Sequence, residues 1–562
     1  MSTTTSPQHP GAEGDRDAPD NDTAPGDSTG GTPAGGTGAT PKRALSPGSW
    51  FWIAAACGVL SGLATQVAAV GAALISGQSS TPFFAVGAWV VDLTPAWFRE
   101  WIISVFGSSD KPFLFVCLGV LLFVLAVAVG ALEFLRPPFG VLLLAAIGVV
   151  AVLAVLTRPD ASVLSAAPTV VGFIVGVIVL QQSILRMRRW HDAAAELRRV
   201  PNAEPQLARR SFLRFVGLSA AAAVAVGVGV QLLSAGTAAV TSIRNTLKLP
   251  RAAFAAAPIP AGADLKLPGL SPYITPVGGF YRVDTALQVP AVDPNNWKLR
   301  IDGMVENPVD LTFAQLLALP LTEHTATLTC VSNEVGGNLA GNATWLGYPL
   351  RELLARAVPK AGADMVLSTS ADGWTAGTPL SALTDNKRDA LLAVGMNGAP
   401  LPLEHGFPVR MVVPGLYGYV SATKWVVQLN VTQYSKAIGY WTDKGWSAMG
   451  PVKLASRIDT PTDNSTVHAG RAAIAGVAWD QHVGIARVEV RVDNGPWQQA
   501  RLADAVSADT WRQWVLEWDA TAGNHTVQVR ATNASGEVQT SAQAPPAPNG
   551  ATGWHTIGVS VS

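Results

Sequence analysis

The chain has 562 residues, of which 49% are hydrophobic and only 14% charged, and its 39 Lys and Arg are balanced by 39 Asp and Glu. That length excludes a single domain, the apolar excess before residue 236 indicates membrane rather than an oversized core, and the absence of net charge gives no support to a nucleic-acid partner. Of three cysteines, Cys57 and Cys117 lie inside apolar runs, so no disulfide framework is available and Cys330 stands as a lone thiol.

Residues 1–46 are Gly, Pro, Thr, Ser and Asp with almost no large apolar side chain, and are expected to be a disordered tail. Residues 47–236 are expected to be a membrane anchor. Five apolar runs, about 50–77, 112–134, 138–157, 164–185 and 212–235, each approach the roughly 20 residues that a bilayer core requires. Lys42 and Arg43, then Arg136, then the eight arginines from Arg186 to Arg214 fall in alternate connections. By the positive-inside rule the N-terminus is cytoplasmic, and five crossings place everything after residue 236 outside.

Between the first two runs, Trp97, Phe98, Trp101, Ile102 and Phe106 recur at helical spacing opposite Arg99 and Glu100. Such a stripe suits a helix lying on the membrane surface, and equally one packed on the bundle. Before the fifth run, Ala208-Arg209-Arg210-Ser211-Phe212-Leu213-Arg214 is similar to a twin-arginine export signal, although a basic anchor would also place arginines here. None of the eight histidines lies within an apolar run, which excludes a bis-histidine haem in the membrane part.

Residues 237–270 are rich in Pro, Ala and Gly and read as a linker. The pattern then becomes that of an α+β domain, 271–454. Trp297 to Pro308 reads as strand, turn and strand, Leu311 to Leu319 as a short helix, and Pro349 to Ala357 as a helix with Leu350, Leu353, Leu354 and Ala357 on one face. Between them, Ala326, Leu328 and Cys330 alternate with Thr327, Thr329 and Val331 as on a strand. Gly336, Gly337 and Gly341 follow, where the backbone can approach a ligand closely. Read alone, Cys330 is a small buried hydrophobe. Asn397-Gly398 is a hairpin signal.

Four segments, in one order, resemble the sulfite oxidase family of molybdopterin enzymes. Thr327-Leu-Thr-Cys330-Val-Ser-Asn333 is similar to the family's T-L-x-C-x-x-N segment, whose cysteine supplies the one protein thiolate to molybdenum. A soft thiolate suits such a centre. Phe280-Tyr281-Arg282 resembles its entry segment, His405-Gly-Phe-Pro-Val-Arg410 its most specific pterin-binding run, and Ser421-Ala-Thr423-Lys424-Trp425 its cofactor loop. The resemblance implies Cys330 as metal ligand and catalytic centre, with Tyr281, Arg282, Asn333, His405, Arg410, Ser421, Thr423 and Lys424 on a molybdenum–molybdopterin cofactor. Arg282 also suits an anionic substrate.

Two positions depart from true sulfite oxidases. Asn333-Glu334 stand where those enzymes carry arginines, and Trp374 aligns with their tyrosine beside the metal. Asp372 and Trp374 are the expected substrate-side residues. The sulfoxide-reducing branch, which also lacks that tyrosine, is an alternative, and so is a non-enzymatic binding protein. From about Ser456, short alternating strands such as Ile485 to Val492, with the turn Asp493-Asn494-Gly495, resemble the family's C-terminal immunoglobulin-like domain, here 455–562. In the family that domain serves in dimerisation.

The expectation is therefore a multi-domain protein with a transmembrane helical bundle, an α+β molybdopterin domain and an all-β immunoglobulin-like sandwich. It implies an extracytoplasmic oxidoreductase in the cytoplasmic membrane that moves two electrons and an oxygen atom. Its expected partners are a small-molecule substrate, a separate electron-transfer protein, membrane lipid and a second copy of the chain.

Overall fold

The computed structural model describes residues 46–562 apart from 77–81, 96–97, 99–100, 103–109, 159–160, 197–204, 234 and 287. The expected N-terminal tail thus falls outside the described residues except for Ser46, as does most of the aromatic stripe at 97–106, of which Phe98 and Trp101 form a stacked pair.

The N-terminal half is helical: α1 (Pro47–Ser76), α2 (Pro82–Leu93), α3 (Asp110–Leu135), α4 (Phe139–Leu156), α5 (Ala167–Glu196), α6 (Pro205–Leu233) and α7 (Ala235–Thr246). Among the described residues four helices are long and apolar enough to cross a membrane, Gly48–Ala73, Pro112–Leu135, Phe139–Leu156 and Val163–Glu196. The fifth expected run lies in α6, whose side chains from residue 226 onward fall outside the described residues. The fourth helix runs past its apolar stretch to include His191, which packs edge-on against Trp50. The short apolar helix α2 was not expected from the sequence.

Small residues let α1 sit at the centre of the bundle. A Cβ at Gly58 would meet Ala126 O of α3, and one at Gly130 would meet Ala54 O, so the two backbones touch where neither residue has a side chain. On the α5 side, Ser61 Oγ donates to Gly176 O at 2.8 Å. Val116, Val120, Leu121, Phe123 and Val124 of α3 point outward, as they would toward lipid.

The two ends of the bundle differ. At one end Trp50 meets Trp190, and Arg188 donates to Phe134 O at 2.9 Å. At the other end the Tyr440 hydroxyl of the catalytic domain donates to Asp92 Oδ1 at 2.8 Å, and Arg158 binds Asp92 Oδ2 at 2.8 Å.

The segment read as a linker is held along its length. Arg244 on α7 donates to Leu401 O and Pro400 O at 2.8 and 3.0 Å, Ala253 N donates to Leu321 O, and Leu265 N donates to Gln513 Oε1. Proline and glycine here shape a strap across two domains, not a free spacer.

The catalytic domain has two sheets. One is ordered β2-β1-β10-β5-β6, built from β1 (Lys298–Gly303), β2 (Val309–Thr312), β5 (Met365–Ser370), β6 (Thr375–Pro379) and β10 (Val426–Thr432). The other runs β3 (Thr322–Thr329), β4 (Ala340–Pro349), β7 (Leu391–Met396) and β8 (Ala399–Pro400), with β9 (Arg410–Val412) paired to β7. Asn397 and Gly398 both have positive φ, as the hairpin signal requires. The C-terminal domain is a sandwich of a four-stranded sheet (Ala455–Thr460, Gly470–Trp479, Arg512–Ala520, Arg501–Leu502) and a five-stranded sheet that includes Ile485–Val492, Gly523–Asn533 and His555–Val561.

The sandwich packs on the threonine face of β3. Trp511 N donates to Thr327 Oγ1 at 2.8 Å, and Gln481 Nε2 donates to Thr329 Oγ1 at 2.8 Å. Asp509 accepts from His324 Nε2 at 2.9 Å and from His482 Nδ1 at 3.2 Å. Burial alone would raise the Asp509 carboxyl, but the hydrogen bonds and charges of His324 and His482 outweigh it and hold the group below its ordinary range.

A carboxyl depressed in the folded state stabilises above its ordinary pKa, and that contribution is lost as pH falls through the folded value. Asp509→Asn is accordingly expected to cost about 2 kcal/mol at neutral pH. The deficit should shrink when thermal unfolding of the detergent-solubilised protein is repeated below about pH 3.5.

Candidate active site

Cys330 lies one residue past the end of β3, 8% exposed, with its N–H donating to Leu339 O at 2.9 Å. The strand's polar face is spent on the sandwich and its apolar face on Ala326 and Leu328 in the core, so the sulfur leaves a segment fixed from both sides. Burial pushes the thiol up, opposed by hydrogen bonds from Ser332 and by the positive charge of Lys424.

The loop after Cys330 differs from its expected use. A Cβ at Gly336 would lie 2.3 Å from the His555 ring, and one at Gly341 would lie 2.7 Å from the Phe280 ring. The close approach that glycine permits here serves protein side chains, not a ligand. Asn333 folds back on the same loop, its Oδ1 accepting from Leu339 N at 2.7 Å.

Tyr281 and Lys424 lie within electrostatic reach of Cys330, and Arg410, His405 and Arg282 interact with one or both of them or with each other. Arg410 is 4% exposed, with Nη1 donating to His405 O at 3.2 Å, Nε to Met411 O at 3.3 Å, and its guanidinium carbon 5.0 Å from the Trp345 ring centroid. Among the described residues it has carbonyl and aromatic partners but no carboxylate within salt-bridge reach. Burial draws its pKa down to about 10, against the influence of Tyr281. A buried cation so arranged calls for an anion from elsewhere.

Lys424 Nζ donates to Asp284 Oδ2 and to Glu404 O, both at 2.9 Å. Burial lowers it to about 8, with Asp284 opposing and Arg410 assisting. Arg282 shares Asp284 at 2.9 Å but remains 39% exposed, so it stands at the rim. Tyr281 stacks on Phe280, and burial, then the nearby Cys330, raises its phenol while Arg410 lowers it.

His405 is 3% exposed, with its ring edge-on to Phe280 at 5.6 Å. Burial, then Arg410, Lys424 and Arg282, hold its pKa down to about 3, so the imidazole is neutral. Its Nδ1 is buried without a hydrogen-bond partner. Gly406 follows with φ 107°, and a Cβ there would press on Arg410 and Lys424 at 3.0 and 3.1 Å. Trp425 also takes a positive φ, 50°, and is held there by Nε1 donating to Leu403 O and by Ala371 N donating to its carbonyl.

Other expected site residues are placed differently. The Ser421 hydroxyl donates to Leu416 O and Tyr417 O, and Thr423 Oγ1 lies 2.6 Å from Ser368 Oγ, so both hydroxyls are committed within the protein. Asp372 and Trp374 form the β5–β6 turn, with Trp374 N donating to Asp372 Oδ1 at 3.2 Å. Ala371 N of that turn donates to Trp425 O at 2.8 Å. The Trp374 Nε1 is buried and unpartnered.

Asp284, Trp345 and Phe280 were not assigned from sequence, yet they orient the two buried cations and the imidazole. The spacing Arg282-Val-Asp284, two residues apart on an extended segment, was the available signal. Trp345 lies opposite His324 in the β3–β4 register, and no local pattern in the sequence tied it to Arg410.

The donor set fits a molybdopterin. Among the described residues no group of three or more His, Cys, Asp or Glu could hold a metal ion, so a metal at Cys330 has to bring its other ligands with it. Arg410 and the orphaned His405 Nδ1 offer the anion-binding and hydrogen-bonding partners that a pterin phosphate and ring require.

Residues 286–441 match the oxidoreductase molybdopterin binding domain, and residues 455–529 match a bacterial Ig domain. The chain is 30% identical over 305 residues to mitochondrial sulfite oxidase of Homo sapiens, covering 46% of this chain and 55% of that protein. Sulfite oxidase of Arabidopsis thaliana is 29% identical over 305 residues, covering 44% and 77%. The uncharacterized oxidoreductase YuiH of Bacillus subtilis is 33% identical over 158 residues, covering 28% and 76%. The chain spans about half the length of the mammalian relatives it matches. The crystal structure of the sulfane dehydrogenase SoxCD from Paracoccus pantotrophus aligns with a TM-score of 0.44 at 25% identity, over 50% of this chain and 80% of that one. The matched domain carries the Cys330 strand, the His405–Arg410 run and Lys424 in one segment, and with them the chain belongs to the sulfite oxidase family of molybdopterin-dependent oxidoreductases.

Proposed function

We propose that this oxidoreductase is anchored in the cytoplasmic membrane with its catalytic domain outside, and that it adds an oxygen atom to a small sulfur-containing substrate while taking two electrons from it, or runs the same exchange in reverse. The observation that carries the reading is the buried Cys330 thiol, free of any disulfide and within electrostatic reach of Lys424 and Tyr281, with Arg410 next to Tyr281 and without a carboxylate partner among the described residues.

When bound, the molybdopterin supplies the two-electron couple. Cys330 would hold the metal as its thiolate, against the burial that favours its thiol. Arg410 and Lys424 would hold the pterin side through charge-assisted hydrogen bonds, and neutral His405 would offer Nδ1 without adding charge. Arg282, at the rim, meets an anionic group of cofactor or substrate. Asp372 and Trp374 border the substrate approach from the β5–β6 turn. Asn333 acts by fixing the Cys330 loop, and Ser421 and Thr423 by fixing the cofactor loop. A separate protein accepts the two electrons when the substrate is oxidised and supplies them when it is reduced.

The membrane reading draws support from the two ends of the bundle. Asp92, which accepts from Tyr440, and Arg158, which binds Asp92, belong to connections poor in Lys and Arg, while the arginine-rich connection and Trp50 gather at the other end. By the positive-inside rule that arrangement supports a catalytic domain on the extracytoplasmic side.

Metal analysis and electron paramagnetic resonance of the wild type beside Cys330→Ser test the site. The expected result is stoichiometric molybdenum in the wild type, and in the variant a signal that has lost its thiolate character. Folded protein free of molybdenum and pterin, from a host competent in the cofactor, would overturn the assignment. Arg410→Ala is expected to lower pterin retained after gel filtration at least tenfold, on the order of the 1.5–3 kcal/mol that hydrogen bonds to a charged group contribute. His405→Asn, which keeps a neutral hydrogen-bonding side chain, is expected to retain more pterin than His405→Lys, as read from the fluorescence of the released, oxidised pterin.

A further inference from the structure

One face of α6 is neither wholly polar nor wholly apolar. Leu207, Arg210, Arg214, Phe215 and Leu218 stand at i, i+3, i+7, i+8 and i+11, the spacing of a single helical stripe. With Arg186 of α5 these residues line a cavity of about 370 Å³ that contains three guanidinium groups and, among the described residues, no carboxylate. Arg186 is fixed in place, its Nη1 donating to Gln182 O at 3.0 Å and to Gln182 Oε1 at 2.6 Å, with its guanidinium carbon 4.2 Å from the Phe215 ring centroid.

The adjacent Arg209 takes another direction. Its guanidinium carbon lies 5.9 Å from the Trp190 ring, on the side where Phe212 is buried in the bundle. Neighbouring arginines of one motif therefore do different work. Arg209 caps the bundle, while Arg210 and Arg214 face the cleft.

Along α6 the cleft changes character in one direction, from Arg210 and Arg214 to Phe215 and Leu218 and then into the Ala- and Val-rich stretch. We propose that it binds one anionic phospholipid, with the headgroup phosphate among Arg186, Arg210 and Arg214 and an acyl chain along Phe215 and Leu218. This inference rests on reading the N-terminal half as a membrane anchor. A zwitterionic headgroup would bring its own cation against three arginines, whereas an anionic one adds charge-assisted hydrogen bonds. Arginine stems packed on apolar neighbours, with their heads at the phosphate level, have the geometry by which cations reside at a bilayer surface.

The test uses the full chain purified in mild detergent and titrated separately with phosphatidylglycerol, phosphatidylcholine and inorganic phosphate, with binding read by native mass spectrometry. Phosphatidylglycerol should be retained over phosphatidylcholine. Arg186→Gln with Arg214→Gln should weaken it by about 25-fold, roughly fivefold per cation near a lipid surface, while Arg209→Gln changes it by less than about twofold. Arg186→Lys with Arg214→Lys, which keeps charge and fold, should retain the preference. Equal retention of the two lipids, an equal loss in Arg209→Gln, or phosphate binding without lipid preference would overturn the site. A wild-type chain that stays monodisperse without detergent would instead overturn the anchor reading on which the site rests.

Discussion

Everything about the active centre depends on β3 being buried on both faces. Strands with one wet face tolerate small shifts, but here Ala326 and Leu328 are packed in the catalytic core while Thr327 and Thr329 are hydrogen-bonded to the C-terminal sandwich. A one-residue slip would put threonine hydroxyls in the core and leucine against Gln481 and Trp511. The position of Cys330 is thus set by two domains at once, the immunoglobulin-like one holding the strand that delivers it.

The electrostatics follow from the same burial. Arg410 and Lys424 each lose hydration, and only Lys424 recovers a carboxylate, Asp284. The pair costs free energy in the protein alone, which suits a site that must hold an anionic cofactor firmly. His405 is kept neutral by its burial first, and then by the cations it adjoins. Charge is concentrated where a phosphate would lie and absent from the imidazole beside it.

Much of this was legible along the chain. The Cys330 strand, the Asn397-Gly398 hairpin, the helix Leu350–Ala357 and the strand Ile485–Val492 all follow from period and turn chemistry, and the resemblance selected the cations that the fold gathers. What escaped was long-range. Nothing near Thr423 announces that its hydroxyl is taken by Ser368, and nothing near Gly336 announces the ring of His555, more than two hundred residues away. The stretch 237–270 misled for a related reason: proline and glycine describe how a backbone bends, not whether neighbouring side chains hold it.

The strap also bears on how the catalytic domain meets other molecules. Val240 on α7 packs into the same cluster as Phe280, Leu401 and Phe407, and Arg244 binds the carbonyls just before the His405 loop, while Tyr440 reaches Asp92 at a second point. A body attached to its base at two separated points cannot pivot as one on a single tether does. A docking partner therefore meets a face of constant orientation, and the orientational entropy that a swinging domain would forfeit at each encounter has already been surrendered in folding.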